Sequence, residues 1–296
     1  MWFFLSLLAM IMLVARRSTE KLVSKGIDSA TLSWLQQTMA IPFIIASLFF
    51  ATFYLPADLP GAFWTTMVVY VIFGALDVFC YFKALSLADV SYVAPLLSLV
   101  AVGNIAGAYF ILGQIPTIFG VGGAIFIVIG AYIVNKAKTK DVEKQANNRL
   151  ALLFILTLVF TRAIISNIEV NMLNVSNPTT FNFYSSMLTI PVLLVAAKLL
   201  HRRKKQIGRY RSLVRQNLRT HWWALVFIGV TYTINMLATY EAKIIGPNAG
   251  YVGAVKSAQV LPMVLIGIFF FKEKIAPKQW IGMGFILLGL VALGIH

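Results

Sequence analysis

The chain has 296 residues, of which 59% are apolar and 12% are charged, and its net charge is +15. A soluble domain usually carries about 25% charged residues, so this composition excludes a water-exposed globular fold and predicts an all-α protein of the lipid bilayer. The cations lie between apolar segments, where they mark the cytoplasmic side of a membrane, and we expect no nucleic-acid partner.

Ten apolar segments follow one another, each close to the roughly 20 residues that a membrane helix needs. Their predicted bounds are 1–23, 31–54, 62–85, 91–112, 117–135, 150–173, 179–199, 222–243, 249–271 and 277–295. The first segment is like a signal peptide in its apolar run, but Arg16 and Arg17 follow the run instead of preceding it. We therefore interpret it as the first membrane helix.

The charged linker 136–149 divides the chain into a first half, 1–135, and a second half, 150–296, with five segments each. When the residue numbers of the first half are shifted by 149, and farther along by 158 or 159, similar residues of the two halves align in a consistent order. The aligned pairs are Glu20 with Glu169, Thr31 with Thr180, Pro42 with Pro191, Asp77 with Asn235, Ala84 with Ala242 and Tyr92 with Tyr251. Because five is odd, a duplicated five-helix unit crosses the membrane in opposite directions, so the prediction is two inverted repeats.

Charge supports this prediction independently. The connection between segments two and three has no Lys or Arg, whereas the corresponding connection between segments seven and eight has nine, from Lys198 to Arg219. The basic connections all fall on one side, which the positive-inside rule makes cytoplasmic. We expect a multi-pass protein of the inner or plasma membrane with both termini extracytoplasmic, and on the opposite side little positive charge beyond Lys243.

Lys256 interrupts the ninth segment about one-third of the way along it, and Gln259 shares its helical face. A charge inside the bilayer is costly, so it normally faces a cavity or a partner. We predict that Lys256, Gln259 and Tyr251 contact substrate. The structural alternative is an ion pair between Lys256 and either Asp77 or Glu241.

Polar residues also interrupt the sixth and eighth segments. Arg162 lies near the middle of the sixth, and Glu169 follows two turns later on the same face. Tyr232, Asn235 and Thr239 form a stripe along the eighth, which either lines a cavity or joins neighbouring helices through hydrogen bonds. The complete set of predicted substrate-binding residues is Lys256, Gln259, Arg162, Tyr251, Asp77, Asn235 and Tyr232.

Charges near the segment ends have a simpler interpretation. Arg16 and Glu20 have the spacing of a helical ion pair, while Arg17, Lys21 and Lys83 can reach toward water from the span ends. Counting these with Arg162 and Lys256 gives six cations against four anions. That excess favours an anionic or zwitterionic substrate. The four anions are Glu20, Asp77, Glu169 and Glu241.

The sequence resembles the EamA-like members of the drug/metabolite transporter superfamily over nearly its whole length. The residues that carry the resemblance are Tyr81 to Leu85 followed by Pro95, Tyr251 to Ser257, Phe271 to Lys274, and Trp280 to Gly284. The resemblance implies transport of small metabolites or drugs by alternating access. It also likens the segment around Lys256 to the one with which relatives contact anionic substrates. Unlike many members, this chain has Gly113 and Gln114 in place of an acidic residue at the end of the fourth helix.

The favoured function is therefore a secondary transporter of a small organic metabolite, acting as a monomer or homodimer without a cofactor. One alternative is proton-coupled export of organic cations, with Glu20 or Glu169 as the coupling carboxylate. Another is a non-transporting, lipid-handling protein, in which the basic segment 198–219 lies on anionic lipids. No enzyme is expected, since no nucleophile with a base, metal-ligand set or phosphate loop is found. Cys80, the single cysteine, excludes an intrachain disulfide.

Overall fold

The structure, a computed structural model, describes residues 1–23, 29–51, 59–87, 96–136, 145–203, 220–271 and 277–295. Its regular secondary structure is helical throughout these residues, in agreement with the all-α prediction. The helices are α1 Trp2–Val23, α2 Ser29–Ala51, α3 Gly61–Leu87, α4 Leu99–Leu112, α5 Ile118–Lys136, α6 Gln145–Val175, α7 Pro178–Arg203, α8 Trp222–Ile245, α9 Ala249–Ser257, α10 Val260–Phe271 and α11 Pro277–Gly294.

Five of these helices are long and apolar enough to cross a membrane, judged by length and composition over the described residues. Their apolar parts are Trp2–Glu20, Gly61–Tyr81, Arg149–Val175, Trp222–Ile245 and Pro277–Gly294, and shorter apolar helices cover Ser33–Phe49, Leu99–Leu112 and Ile118–Val134. Large apolar side chains remain exposed along them, as expected for helices whose solvent is lipid. The chain is therefore a helical membrane protein.

Two helices extend well beyond their predicted segments. The last part of the charged linker is helical, because α6 begins at Gln145, and α7 continues to Arg203 into the basic segment. The rest of that segment, 204–219, lies outside the described residues, as does the predicted start of segment four. Lys243, counted above as a charge of the extracytoplasmic side, is instead a buried residue of α8.

The ninth segment is two helices and not the continuous one predicted. α9 ends at Ser257, a turn follows at Ala258 and Gln259, and α10 begins at Val260. Pro262 has no N–H to donate to the carbonyl of Ala258, which accepts instead from Leu261 N at 3.0 Å. A proline near the start of α10 thus tightens one turn and interrupts the helix close to Lys256.

Two reciprocal glycine contacts hold α5 against α11. Gly123 lies against Gly289, and Gly130 against Gly282; a Cβ atom on Gly123 or on Gly282 would stand 2.8 or 2.7 Å from the facing carbonyl oxygen. Small residues allow membrane helices this close approach. Both Gly123 with Gly282 and Gly130 with Gly289 are 159 residues apart, the same shift that aligns Tyr92 with Tyr251.

Other contacts join a helix of the first half to a helix of the second half, and they occur at corresponding positions of the two halves. α1 packs on α8 and α3 on α6, while α2 packs on α7 and α4 on α9. Gly103 and Gly107 of α4 lie against Val159, Ala163 and Asn167 of α6, so these glycines allow the two helices to pack closely. The result is a layer of outer helices around a centre that α1, α3, α6, α8 and α9 share.

Candidate functional site

The charged residues of the helix interiors meet in this centre. α1 contributes Arg16, Arg17 and Glu20, α3 contributes Asp77, α6 contributes Arg162 and Glu169, α8 contributes Lys243, and α9 contributes Lys256. Ion pairs connect most of them, and the pairs differ in how completely they are buried.

Arg162 pairs with Asp77 between α6 and α3. Its Nε donates to Asp77 Oδ1 at 2.8 Å and its Nη2 to Oδ2 at 3.2 Å, a two-pronged contact in which each oxygen of the carboxylate accepts one bond. Bidentate arginine–carboxylate pairs are strong and geometrically specific. The structure therefore brings together two predicted substrate-binding residues, but as partners of each other.

Lys243 is the most deeply buried of the cations, and its side chain is 4% exposed. Its Nζ donates to the Ser166 carbonyl oxygen at 2.9 Å, to Ser166 Oγ at 2.8 Å and to Glu169 Oε2. The other oxygen of Glu169, Oε1, accepts from the Tyr70 hydroxyl at 3.1 Å. This network joins α3, α6 and α8, and it occupies both oxygens of one predicted coupling carboxylate.

Lys256 has a different partner. Its Nζ donates to Thr239 Oγ1 at 2.9 Å, and the Thr239 hydroxyl donates in turn to the Asn235 carbonyl oxygen at 2.6 Å. Neither carboxylate of the predicted structural alternative takes this position, since Asp77 pairs with Arg162 and Glu241 is exposed. Lys256 is thus held by neutral groups of α8.

The residues of the stripe along α8 contact neighbouring helices. Asn235 Nδ2 donates to the Ala9 carbonyl oxygen of α1, which joins the helices. The Tyr232 hydroxyl accepts from Gln37 Nε2 at 3.2 Å, and the Arg16 guanidinium lies 5.3 Å from the centre of the Tyr232 ring. Such a position over an aromatic face is attractive for a cation.

Arg16 also lies beside Glu20, the other predicted coupling carboxylate. Arg16 Nε and Glu20 Oε1 are 3.1 Å apart, within ion-pair distance, but neither atom makes a hydrogen bond among the described residues. This pair is charge-compensated without being locked by a directed bond. It differs in this respect from the Lys243–Glu169 pair.

Two central cations have no carboxylate within ion-pair distance among the described residues, and they are Arg17 and Lys256. Both are partly buried. Lys256 is repelled by Lys243, Arg16 and Arg17 and is attracted by Glu169, which lies beyond ion-pair distance. Arg17 is repelled by Arg16 and Arg162 and is attracted by Glu20. A charge that leaves water without an opposite charge nearby is costly, so these two are the strongest candidates for contact with an anion.

Tyr251 and Gln259 lie on either side of Lys256 along the chain. The Tyr251 hydroxyl accepts from Thr117 N at 2.7 Å, and its ring packs beside Trp2 and Gly120 at the start of α9. The structure therefore places Tyr251 in a contact between the starts of α1, α5 and α9. Gln259, in the turn after α9, has a buried Oε1 without a hydrogen-bond partner among the described residues.

Gln114, which replaces the acidic residue of many relatives, caps α9. Its Oε1 accepts from Ala249 N at 2.9 Å, and its carbonyl oxygen accepts from Asn248 Nδ2 at 3.3 Å. An amide can satisfy the free N–H groups at a helix start as a carboxylate does. The departure from the family pattern has a structural role here.

The sequence analysis missed several residues of this centre. Tyr70 and Ser166 were not singled out as binding groups, and Lys243 was counted as a charge of the extracytoplasmic side, although they form the network around Glu169. Asn182 of α7 is 1% exposed, and both its amide atoms lack hydrogen-bond partners among the described residues. A buried amide of this kind calls for a polar partner, and its place in an apolar segment was the available signal.

Comparison with known proteins gives a family match. The model of the EamA-like transporter family matches residues 1–136 and 149–295. A protein of known crystal structure superposes with a TM-score of 0.75 over 99% of this chain and 96% of that chain at 14% sequence identity, which shows a shared fold alone. Comparison with curated proteins gives no match.

Proposed function

The chain belongs to the EamA-like transporter family, and from that premise we propose that it is a secondary transporter that moves a small organic anion or zwitterion across the membrane by alternating access. The single observation that supports an anionic group on the substrate is the position of Lys256. Its ammonium lies in the helical centre with a hydroxyl group as its hydrogen-bond partner and, among the described residues, without a carboxylate within ion-pair distance.

The interruption between α9 and α10 supports the same assignment. Secondary transporters commonly bind substrate where a membrane helix is broken near the midplane, because the break frees polar groups within the protein. Lys256 comes two residues before the turn at Ala258 and Gln259, and Gln259 brings an unpartnered buried oxygen. In this proposal Lys256 contacts the anionic group, Gln259 accepts from a donor on the substrate, and Arg162 stays with Asp77 to position α3 against α6.

The proposed architecture is ten membrane spans in two inverted five-helix repeats, with α9 and α10 together forming the ninth span. The matched contacts of α5 with α11, and of α1–α8 with α3–α6, support it. The charge difference between corresponding connections supports an orientation in the inner or plasma membrane with both termini extracytoplasmic.

The test is exchange transport by the purified protein in proteoliposomes, measured with labelled organic anions, amino acids and amines. We expect exchange of anions or zwitterions. Lys256→Met should weaken the apparent affinity by about ten- to a hundredfold, because a charge-assisted contact contributes about 1.5–3 kcal/mol. Lys256→Arg should retain part of it, since the charge remains but the planar head group is larger.

Lys278→Met, at an exposed site on α11, is the matched control and should transport as wild type does. If Lys256→Met binds and exchanges anions normally, Lys256 has a purely structural role. Exchange of amines alone, lost in Glu169→Gln, would instead support the cation exporter.

A further inference from the structure

The two unneutralised cations of the centre come from different halves of the chain. Arg17 belongs to α1 in the first half and Lys256 to α9 in the second, and α1 packs directly against α9. Every other cation of the centre has a carboxylate beside it: Asp77 for Arg162, Glu169 for Lys243 and Glu20 for Arg16.

Among the residues that the structure describes, the centre therefore carries five cations and three carboxylates, an excess of two positive charges. The cations are Arg16, Arg17, Arg162, Lys243 and Lys256, and the carboxylates are Glu20, Asp77 and Glu169. The three ion pairs leave this excess on Arg17 and Lys256. Arg17 is among the cations that repel Lys256, and Glu169, already paired with Lys243, attracts Lys256 only from beyond ion-pair distance. A bound anion removes this repulsion only in proportion to its charge.

We propose that the substrate is a dianion held between Arg17 and Lys256, an inference that rests on the proposed transport of an organic anion. Two negative groups, or one group with two charges, neutralise both cations at once. A monoanion leaves one cation uncompensated in a region of low dielectric, which is unfavourable. Dicarboxylates and phosphate monoesters share the required chemistry.

The pairs around this site hold the remaining charges in place. Arg162 makes two bonds to Asp77, and Lys243 makes three, to Ser166 and Glu169. Those cations are already satisfied and do not compete for the substrate. Arg17 and Lys256 are left to distinguish anions by charge.

The experiment measures dissociation constants for the full-length protein in detergent at pH 7.5, using two pairs of probes. Succinate is compared with its monomethyl ester, and glycerol phosphate with its monomethyl phosphodiester, so that each pair differs by one charge. We expect at least one dianion to bind about ten- to a hundredfold more tightly than its monoanionic partner. The pair that shows the preference identifies a carboxylate or a phosphate as the source of the charge.

Variants then connect the preference with the two residues. In Arg17→Gln and in Lys256→Met the dianion should lose about ten- to a hundredfold in affinity, and its preference over the monoanion should fall to about one. Arg17→Lys and Lys256→Arg keep the charge and should keep the preference. Arg149→Gln and Lys278→Met, at exposed sites, are the matched controls.

The melting temperature of the ligand-free protein separates binding from folding. Removing one of two mutually repelling cations should leave it unchanged or raise it. If Arg17→Gln lowers the melting temperature and weakens the binding of both probes of a pair equally, Arg17 is structural and the dianion inference fails. Equal binding of monoanions and dianions, with loss in Lys256→Met alone, would overturn the inference while leaving the proposed anion transport intact. If none of the four anions binds, the dianion inference fails, and the exchange assay with amino acids decides whether the proposed transport of a zwitterion stands.

Discussion

Replacing Lys243 with Met tests whether the network around Glu169 is a compensated buried pair. The substitution removes three hydrogen bonds from Nζ and leaves Glu169, whose side chain is 11% exposed, with only the Tyr70 hydroxyl. Removing one partner of a buried pair costs about 3–5 kcal/mol, because the other charge stays buried. We therefore expect Lys243→Met to lower the free energy of unfolding by that amount.

The double variant Lys243→Met with Glu169→Gln removes both charges. An apolar or neutral replacement of a buried ion pair is often neutral or even stabilising, so most of the loss should be recovered. The measurement is unfolding by a detergent titration in bicelles, followed by tryptophan fluorescence, for wild type, both single variants and the double variant. Lys278→Met should change the free energy by no more than about 0.5 kcal/mol, as exposed substitutions usually do.

Two results would refute this reasoning. A loss below about 1 kcal/mol in Lys243→Met would mean that Glu169 does not depend on Lys243 for charge compensation. A double variant as unstable as the sum of the single variants would mean that the two residues act independently.

Three further predictions concern topology, coupling and packing. A cysteine placed at Asp58 should react with a membrane-impermeant reagent added to intact cells, whereas one at Gln206 should react only after the cells are permeabilised; labelling at Gln206 in intact cells would reverse the proposed orientation. If Glu169 couples transport to protons, Glu169→Gln should abolish uptake driven by a pH gradient while ligand binding persists; gradient-driven uptake by the variant would exclude this role. Gly289→Val should destabilise the protein by about 1–3 kcal/mol by overpacking, whereas Gly284→Val, which meets open space, should not; equal melting temperatures of the two would argue against the close packing of α5 on α11.

Sequence alone predicted the helical class and most helix positions because both follow from the length and apolarity of each segment. It missed the interruption of the ninth segment because a hydropathy window averages over backbone breaks. Pro262 was the available signal, since proline removes one backbone donor. The glycines by which α5 and α11 make contact are separated by 159 residues in the sequence. That spacing could be recognised only after the structure showed which glycines lie in the contact.

The candidate residues were predictable, but their partners were not. Lys256 had Asp77 and Glu241 as possible partners by residue type alone, yet the first faces Arg162 and the second is exposed. Which side chains meet depends on how α3, α6, α8 and α9 are rotated against one another. Hydropathy does not determine those rotations, because every face of a membrane helix can be apolar.

The two halves have kept their packing positions and changed their charges. The glycines of α5 and α11 correspond at a shift of 159, whereas Arg17 corresponds to Ser166 at the shift of 149, and Asp77 to Asn235 at 158. Arg17 has no carboxylate within ion-pair distance among the described residues, whereas Ser166 accepts a hydrogen bond from Lys243. Asp77 accepts from Arg162, whereas Asn235 donates to the backbone carbonyl of Ala9. In the proposed transporter, matching helix contacts in the two halves allow the substrate site to close toward either side of the membrane in the same way. The unequal charges of the centre allow a substrate to bind in one orientation. Matched packing with unequal charge fits the proposed alternating-access transporter with two inverted repeats.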